Sequence, residues 1–103
     1  MRVVINPRQA GKTTEAVKWV QGGDDRIIVV ISEKEKERLM KQYGLRYQQV
    51  ETYDTLLRNY YRPTLHQKKV VLDNLDMWVE SMFRETGGIE WVTVSKPDAE
   101  SPR

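Results

Sequence analysis

An α/β fold with three layers, helices on both faces of a mainly parallel five-stranded sheet, follows from three features of this chain. Apolar, β-branched runs recur along it, at Met1 to Ile5, Arg26 to Ser32 and Lys68 to Asp76. Between them lie stretches whose apolar residues return at helical spacing, such as Lys12 to Gln21 and Leu75 to Phe83. Glycine or proline punctuates the joins, at Gly22-Gly23, Gly44, Pro63 and Gly87-Gly88. Strands alternating with helices argue for parallel pairing, since each crossover leaves room for a helix.

The elements follow in order. Met1 to Ile5 reads as a short buried strand, and Ala16, Val17 and Val20 put one apolar face on the helix Lys12 to Gln21. Five consecutive β-branched residues, Ile27 to Ile31, are the continuous run of a strand buried on both faces. Ser32 and Glu35 are spaced as a capping box for a heavily charged helix that ends before Gly44. Leu39, Met40 and Tyr43 are its apolar residues. A short strand runs through Val50 and Thr52, and Thr55 to Arg62 makes a brief helix or turn that Pro63 ends. Val70 to Leu72 is a further apolar strand, Leu75, Trp78, Val79, Met82 and Phe83 form a helical stripe, and Ile89 to Ser95 alternates as a last strand. Residues 1–95 make one domain, and the polar run 96–103 is a flexible tail.

Bulk composition narrows the classes. At 103 residues the chain supports one domain, with 39% hydrophobic and 31% charged residues. Seventeen basic against fifteen acidic residues leave a net charge of +2, which neither requires nor excludes nucleic acid. With no cysteine and one histidine, His66, there is no thiolate zinc site, cysteine nucleophile or histidine-rich metal centre to expect. No apolar run approaches the roughly 20 residues of a membrane span, so the expected compartment is the cytoplasm, of a cell or of an infected host.

One stretch asks for more than structure. Asn6, Pro7, Arg8, Gln9, Ala10, Gly11, Lys12, Thr13 and Thr14 lie between the first strand and the first helix. A loop there turns backbone N–H groups toward an anion at the positive end of a helix. Gly11 admits close approach of phosphate, Lys12 adds charge for the β and γ phosphates, and the Thr13 hydroxyl is a ligand for Mg²⁺. Asn6 stands where the pattern has its first glycine, and asparagine tolerates positive φ. Downstream, Val70-Val71-Leu72-Asp73 delivers a carboxylate to a strand's C-terminal end, where it can share the Mg²⁺. Asp73 could equally serve as the N-cap of the helix that follows.

Together these segments resemble the Walker A and Walker B motifs of P-loop NTPases, in the layout of the RecA-like, helicase-like branch. The resemblance implies ATP as ligand and a strand order of Met1 to Ile5, Ile89 to Val94, Val70 to Asp73 and Ile27 to Ile31, with Val50 outermost. "Pro-Arg-Gln-Ala-Gly-Lys-Thr-Thr" is similar to the Walker A of phage large-terminase, DNA-packaging ATPases, which implies an arginine-finger role for Arg8. Val50 to Leu57 resembles a helicase segment that meets nucleic-acid backbone. Thr93 and Ser95 fall where helicases sense the nucleotide state.

The pattern is broken after Asp73. That branch has a glutamate there to position the attacking water, and this chain has Asn74, which cannot accept a proton as a carboxylate does. Asp76, or an acid from a second copy or another protein, is the substitute to consider. Expected function is therefore Mg²⁺-dependent ATP binding with weak or partner-dependent hydrolysis, linked to DNA processing. The rivals are a nucleotide-responsive interaction module without turnover, a small-molecule kinase, and a binder of nucleic-acid backbone. Arg58, Tyr60, Tyr61, Arg62, His66, Lys68 and Lys69 make a basic, aromatic-interleaved stretch that suits either a solvated loop or nucleic acid. Trp19, Trp78 and Trp91 read as core residues.

Overall fold

A computed structural model of the chain describes residues 11–58, 68–93 and 95. Within them the order is α1 (Lys12–Gln21), β1 (Arg26–Val30), α2 (Glu33–Tyr43), a short 3₁₀ turn (Tyr47–Gln49), β2 (Val50–Thr52), α3 (Tyr53–Arg58), β3 (Lys69–Leu72) and α4 (Leu75–Met82). The three strands form one parallel sheet in the order β2-β1-β3. Val30 stands opposite Thr52, and Val29 opposite Leu72. This is the expected sequence of neighbours for these three strands. The strand expected at Met1 to Ile5 lies outside the described residues.

β1 is central because it is apolar on both faces. Ile28 and Val30, fully buried, meet Val17 and Val20 of α1, Leu39 of α2, Leu45 and Val50 in one cluster. Their alternates Ile27 and Val29 point to the other face and are buried as well. A two-faced strand of this kind needs cover on each side, and α1 and α2 supply it over Ile28 and Val30. Burying each such side chain stabilises the fold by about 1.5–3 kcal/mol.

The helix ends follow local chemistry. The Ser32 hydroxyl accepts from the Glu35 amide at 3.1 Å and caps α2. Only half of the expected capping box forms, because the Glu35 carboxylate is drawn to the Arg38 guanidinium one turn on. Gly44, at φ 70°, closes α2 through its N–H to the Met40 carbonyl. In the turn from α1 to β1, Arg26 lies over the Trp19 ring at 4.7 Å and donates to the Trp19 carbonyl at 2.7 Å. A Cβ on Gly23 would stand 2.6 Å from the Arg26 Nε, so glycine makes room for that side chain.

Charge patterning hid one core contact. Lys36 belongs to the charged run of α2, yet its ammonium is buried, 3.3 Å from the buried Glu51 carboxylate of β2 and 4.3 Å from the centre of the Tyr47 ring. The pair ties α2 to the edge strand in a specific register.

Four expectations need correction. Helix α3 starts at Tyr53, two residues before Thr55, because the Thr52 hydroxyl accepts from the Thr55 amide and starts the turn early. The continuation to Arg62 lies outside the described residues. Ile89 to Thr93 and Ser95 form no strand, so the expected last strand is absent and the described residues make a sheet of three strands. The segment is open to solvent, with Trp91 80% and Val92 68% exposed. Trp91 is accordingly not a core residue, whereas Trp19 and Trp78 are half-buried. Thr93 and Ser95 therefore hold no strand position from which to sense a nucleotide. Among the described residues, no helix is long and apolar enough to cross a membrane.

Replacing Ile28 by alanine should remove about 2–5 kcal/mol of stability, a large share of a small domain's total, with an unchanged denaturant slope in urea titration.

Candidate functional site

Gly11 opens α1 with φ 76° and ψ 12°. Nothing lies within 4 Å of where its Cβ would stand, so the left-handed backbone, and not crowding, calls for glycine. The first N–H groups of α1 have no partner inside the helix and face outward at its positive end. Asn6, Pro7, Arg8, Gln9 and Ala10 lie outside the described residues, as does the Lys12 side chain.

From the first turn of α1, two hydroxyls reach different parts of the fold. Thr13 Oγ1 donates toward the Asp73 carboxylate, 3.4 Å from Oδ1 and 3.2 Å from Oδ2, across 60 residues of sequence. Thr14 Oγ1 lies 3.0 Å from the Tyr43 hydroxyl at the end of α2. The expected pair of metal-binding oxygens is thus brought together, and Thr14 turns to a neighbouring helix.

Asp73 follows β3 immediately and is buried. Its amide donates to the Val29 carbonyl at 3.0 Å, so β1 carries the pairing one residue past the strand. Its carbonyl accepts the Tyr53 hydroxyl at 2.8 Å. The Tyr53 ring stacks on Trp78 of α4, with centroids 4.8 Å apart and planes 17° from parallel. Burial pushes the Tyr53 phenol well above its usual range, and the charges of Asp73 and Asp76 add to the shift. It therefore stays a neutral donor.

Asp73 is not the cap of the next helix. Asn74 takes the N-cap position with φ 52° and ψ 43°, leaving the Asp73 carboxylate turned toward Thr13. Among the described residues Asn74 is the one non-glycine at positive φ, a conformation asparagine accepts more readily than most. Its Nδ2 donates to Asp73 Oδ2 at 3.4 Å. Asp76 is exposed in the first turn of α4. A shallow groove of about 430 Å³, lined by Val79, Phe83 and residues 88–92, includes none of these groups.

Chemically the junction of α1 and β3 offers one hydroxyl and one carboxylate, both hard oxygen donors, beside a helix N-terminus. Among the described residues no cluster of three acidic or histidine side chains forms a cage for a metal. Mg²⁺ does not need one, since it is held by one or two protein oxygens together with substrate phosphates and water. Tyr53 and Tyr43 are the functional neighbours that spacing did not reveal. Tyr53, directly after a strand, carried no local signal beyond its place in "VETYDT". No protein-family model, curated protein or solved structure matches this chain.

Two outcomes follow. Asn74→Glu should cost about 1 kcal/mol in urea unfolding, from the left-handed backbone and a second carboxylate beside Asp73, while Asn74→Gly should cost far less. Stability should also fall as pH rises past about 10, where the unfolded tyrosine ionises before the buried one. Below that pH this group contributes no pH dependence. Unfolding titrations between about pH 9 and pH 11 should show the decline in the native chain and a smaller one in Tyr53→Phe.

Proposed function

We propose that this chain binds a nucleoside triphosphate with Mg²⁺ through a Walker A-like loop, ATP being the expected ligand. The observation that carries this reading is the meeting of Thr13 and Asp73 at 3.2 Å, beside a left-handed glycine and a helix N-terminus. The loop N–H groups and Lys12 would hold the phosphates, and Thr13 with Asp73 would hold the metal. Mg²⁺, when bound, would neutralise charge on the phosphate oxygens. Arg8 would reach the γ-phosphate.

Asn74 favours slow turnover or none. Its amide is directed at Asp73 as a donor, and its backbone is one a glutamate would adopt only under strain. General-base help, typically worth about 10²–10⁴ in rate, would then have to come from Asp76 or from a partner chain. A nucleotide-responsive module that binds without hydrolysis is the second reading, and this geometry supports it. A role beside DNA rests on the terminase-like octet alone.

Calorimetry with Mg-ATP tests the proposal. Binding in the micromolar range should vanish in Lys12→Ala, and Asp73→Asn should lose the gain from Mg²⁺ while keeping metal-free binding. Phosphate release, followed with and without DNA, should be slow in the native chain. A native chain that takes up no ATP with or without Mg²⁺ would overturn the reading.

A further inference from the structure

We infer that Tyr53 is a positioning residue for the metal-binding carboxylate, its hydroxyl fixing the peptide that aims Asp73 at Thr13. The inference rests on the Mg²⁺ reading above and adds to it a residue from a different part of the fold.

The ladder of β3 ends at Leu72, so Asp73 lies where strand pairing no longer fixes both of its peptide groups. Val29 holds its N–H at 3.0 Å. On the other side its C=O is held by the Tyr53 hydroxyl at 2.8 Å, and the backbone then turns left-handed at Asn74. With both flanking groups tied from outside the strand, the direction of the Cβ, and hence of the carboxylate, is set.

Tyr53 is itself over-determined. Thr52 accepts from the Thr55 amide at 3.1 Å and its hydroxyl donates to Thr55 Oγ1 at 3.0 Å, which fixes the start of α3. The ring is 2% exposed and lies flat on Trp78, leaving the hydroxyl one direction in which to point. A phenylalanine would fill the same space. Burying a hydroxyl is costly unless it is hydrogen-bonded, and the Asp73 carbonyl is the acceptor that makes a tyrosine acceptable here.

The test is Tyr53→Phe, with Trp78→Phe as control, measured by calorimetry for Mn-ATP and for ATP in chelator. The ratio of the two affinities isolates the metal's contribution. Tyr53→Phe should lower that ratio about tenfold, the usual size for loss of a group supporting a metal ligand, and change metal-free ATP binding less than twofold. Trp78→Phe retains a stacking ring and should leave the ratio within about twofold. An unchanged ratio in Tyr53→Phe, or an equal loss of both affinities, would overturn the inference and leave the phosphate-loop reading standing. A native chain whose ATP binding gains nothing from Mn²⁺ would overturn it too. If the native chain binds ATP under neither condition, both readings fall together.

Discussion

Parallel pairing of β3 against β1 is the constraint on which the rest depends. It carries Asp73 to the C-terminal end of the sheet, one residue beyond the ladder, where the Val29 carbonyl still holds its amide. Helix α1 is packed on β1 through Val17 and Val20, and its first turn therefore arrives at the same end. Thr13 meets Asp73 because both are fixed to one strand. A slip of β3 by one residue would turn the carboxylate to the opposite face and separate the pair.

Polar groups then refine what apolar packing brings together. Tyr53 and the Lys36–Glu51 pair are buried and each ties one element to another, while half-buried Asn74 donates to the neighbouring Asp73 carboxylate. A buried ion pair is weak support for stability, since desolvation offsets much of the attraction. Its effect here is to select register, as α2 can place Lys36 against Glu51 in one alignment only. The Tyr53 bond works in the same way on Asp73. Hydrophobic burial supplies the free energy of this fold, and the few internal polar contacts decide how its functional end is arranged.

That end combines a glycine at positive φ with a restrained carboxylate. Gly11 adopts a backbone that other residues avoid, while Asp73 is held from three neighbouring elements. Under the phosphate and Mg²⁺ binding proposed above, the restrained carboxylate is the oxygen that would receive the metal together with Thr13. Under the same proposal, Asn74 adds a donor where a proton acceptor would assist hydrolysis, which favours holding a ligand over cleaving it.

Much of this was legible in the sequence. The bounds of α1, the burial of Val17 and Val20, the run of β1 and the strand at Val50 are written in periodicity and β-branching, which are local properties, whereas the order of the three strands was what the family resemblance implied. So was the juxtaposition of Thr13 with Asp73, because the motif at each strand end implies it. The missed features are those that depend on what another element presents. Lys36 sits in a heavily charged helix and is buried only because β2 supplies Glu51, and the apolar alternation of Ile89 to Thr93 yielded no strand because alternation marks a face without providing a partner. The sequence by itself determined α1, β1, α2, β2, β3 and α4 as helix or strand, and it nominated side chains for phosphate and metal as expectations. Only the tertiary structure decided that Tyr53 holds Asp73, that Asn74 and not Asp73 caps α4, and that Glu35 turns to Arg38, since each outcome is a competition between donors and acceptors whose distances exist only after folding.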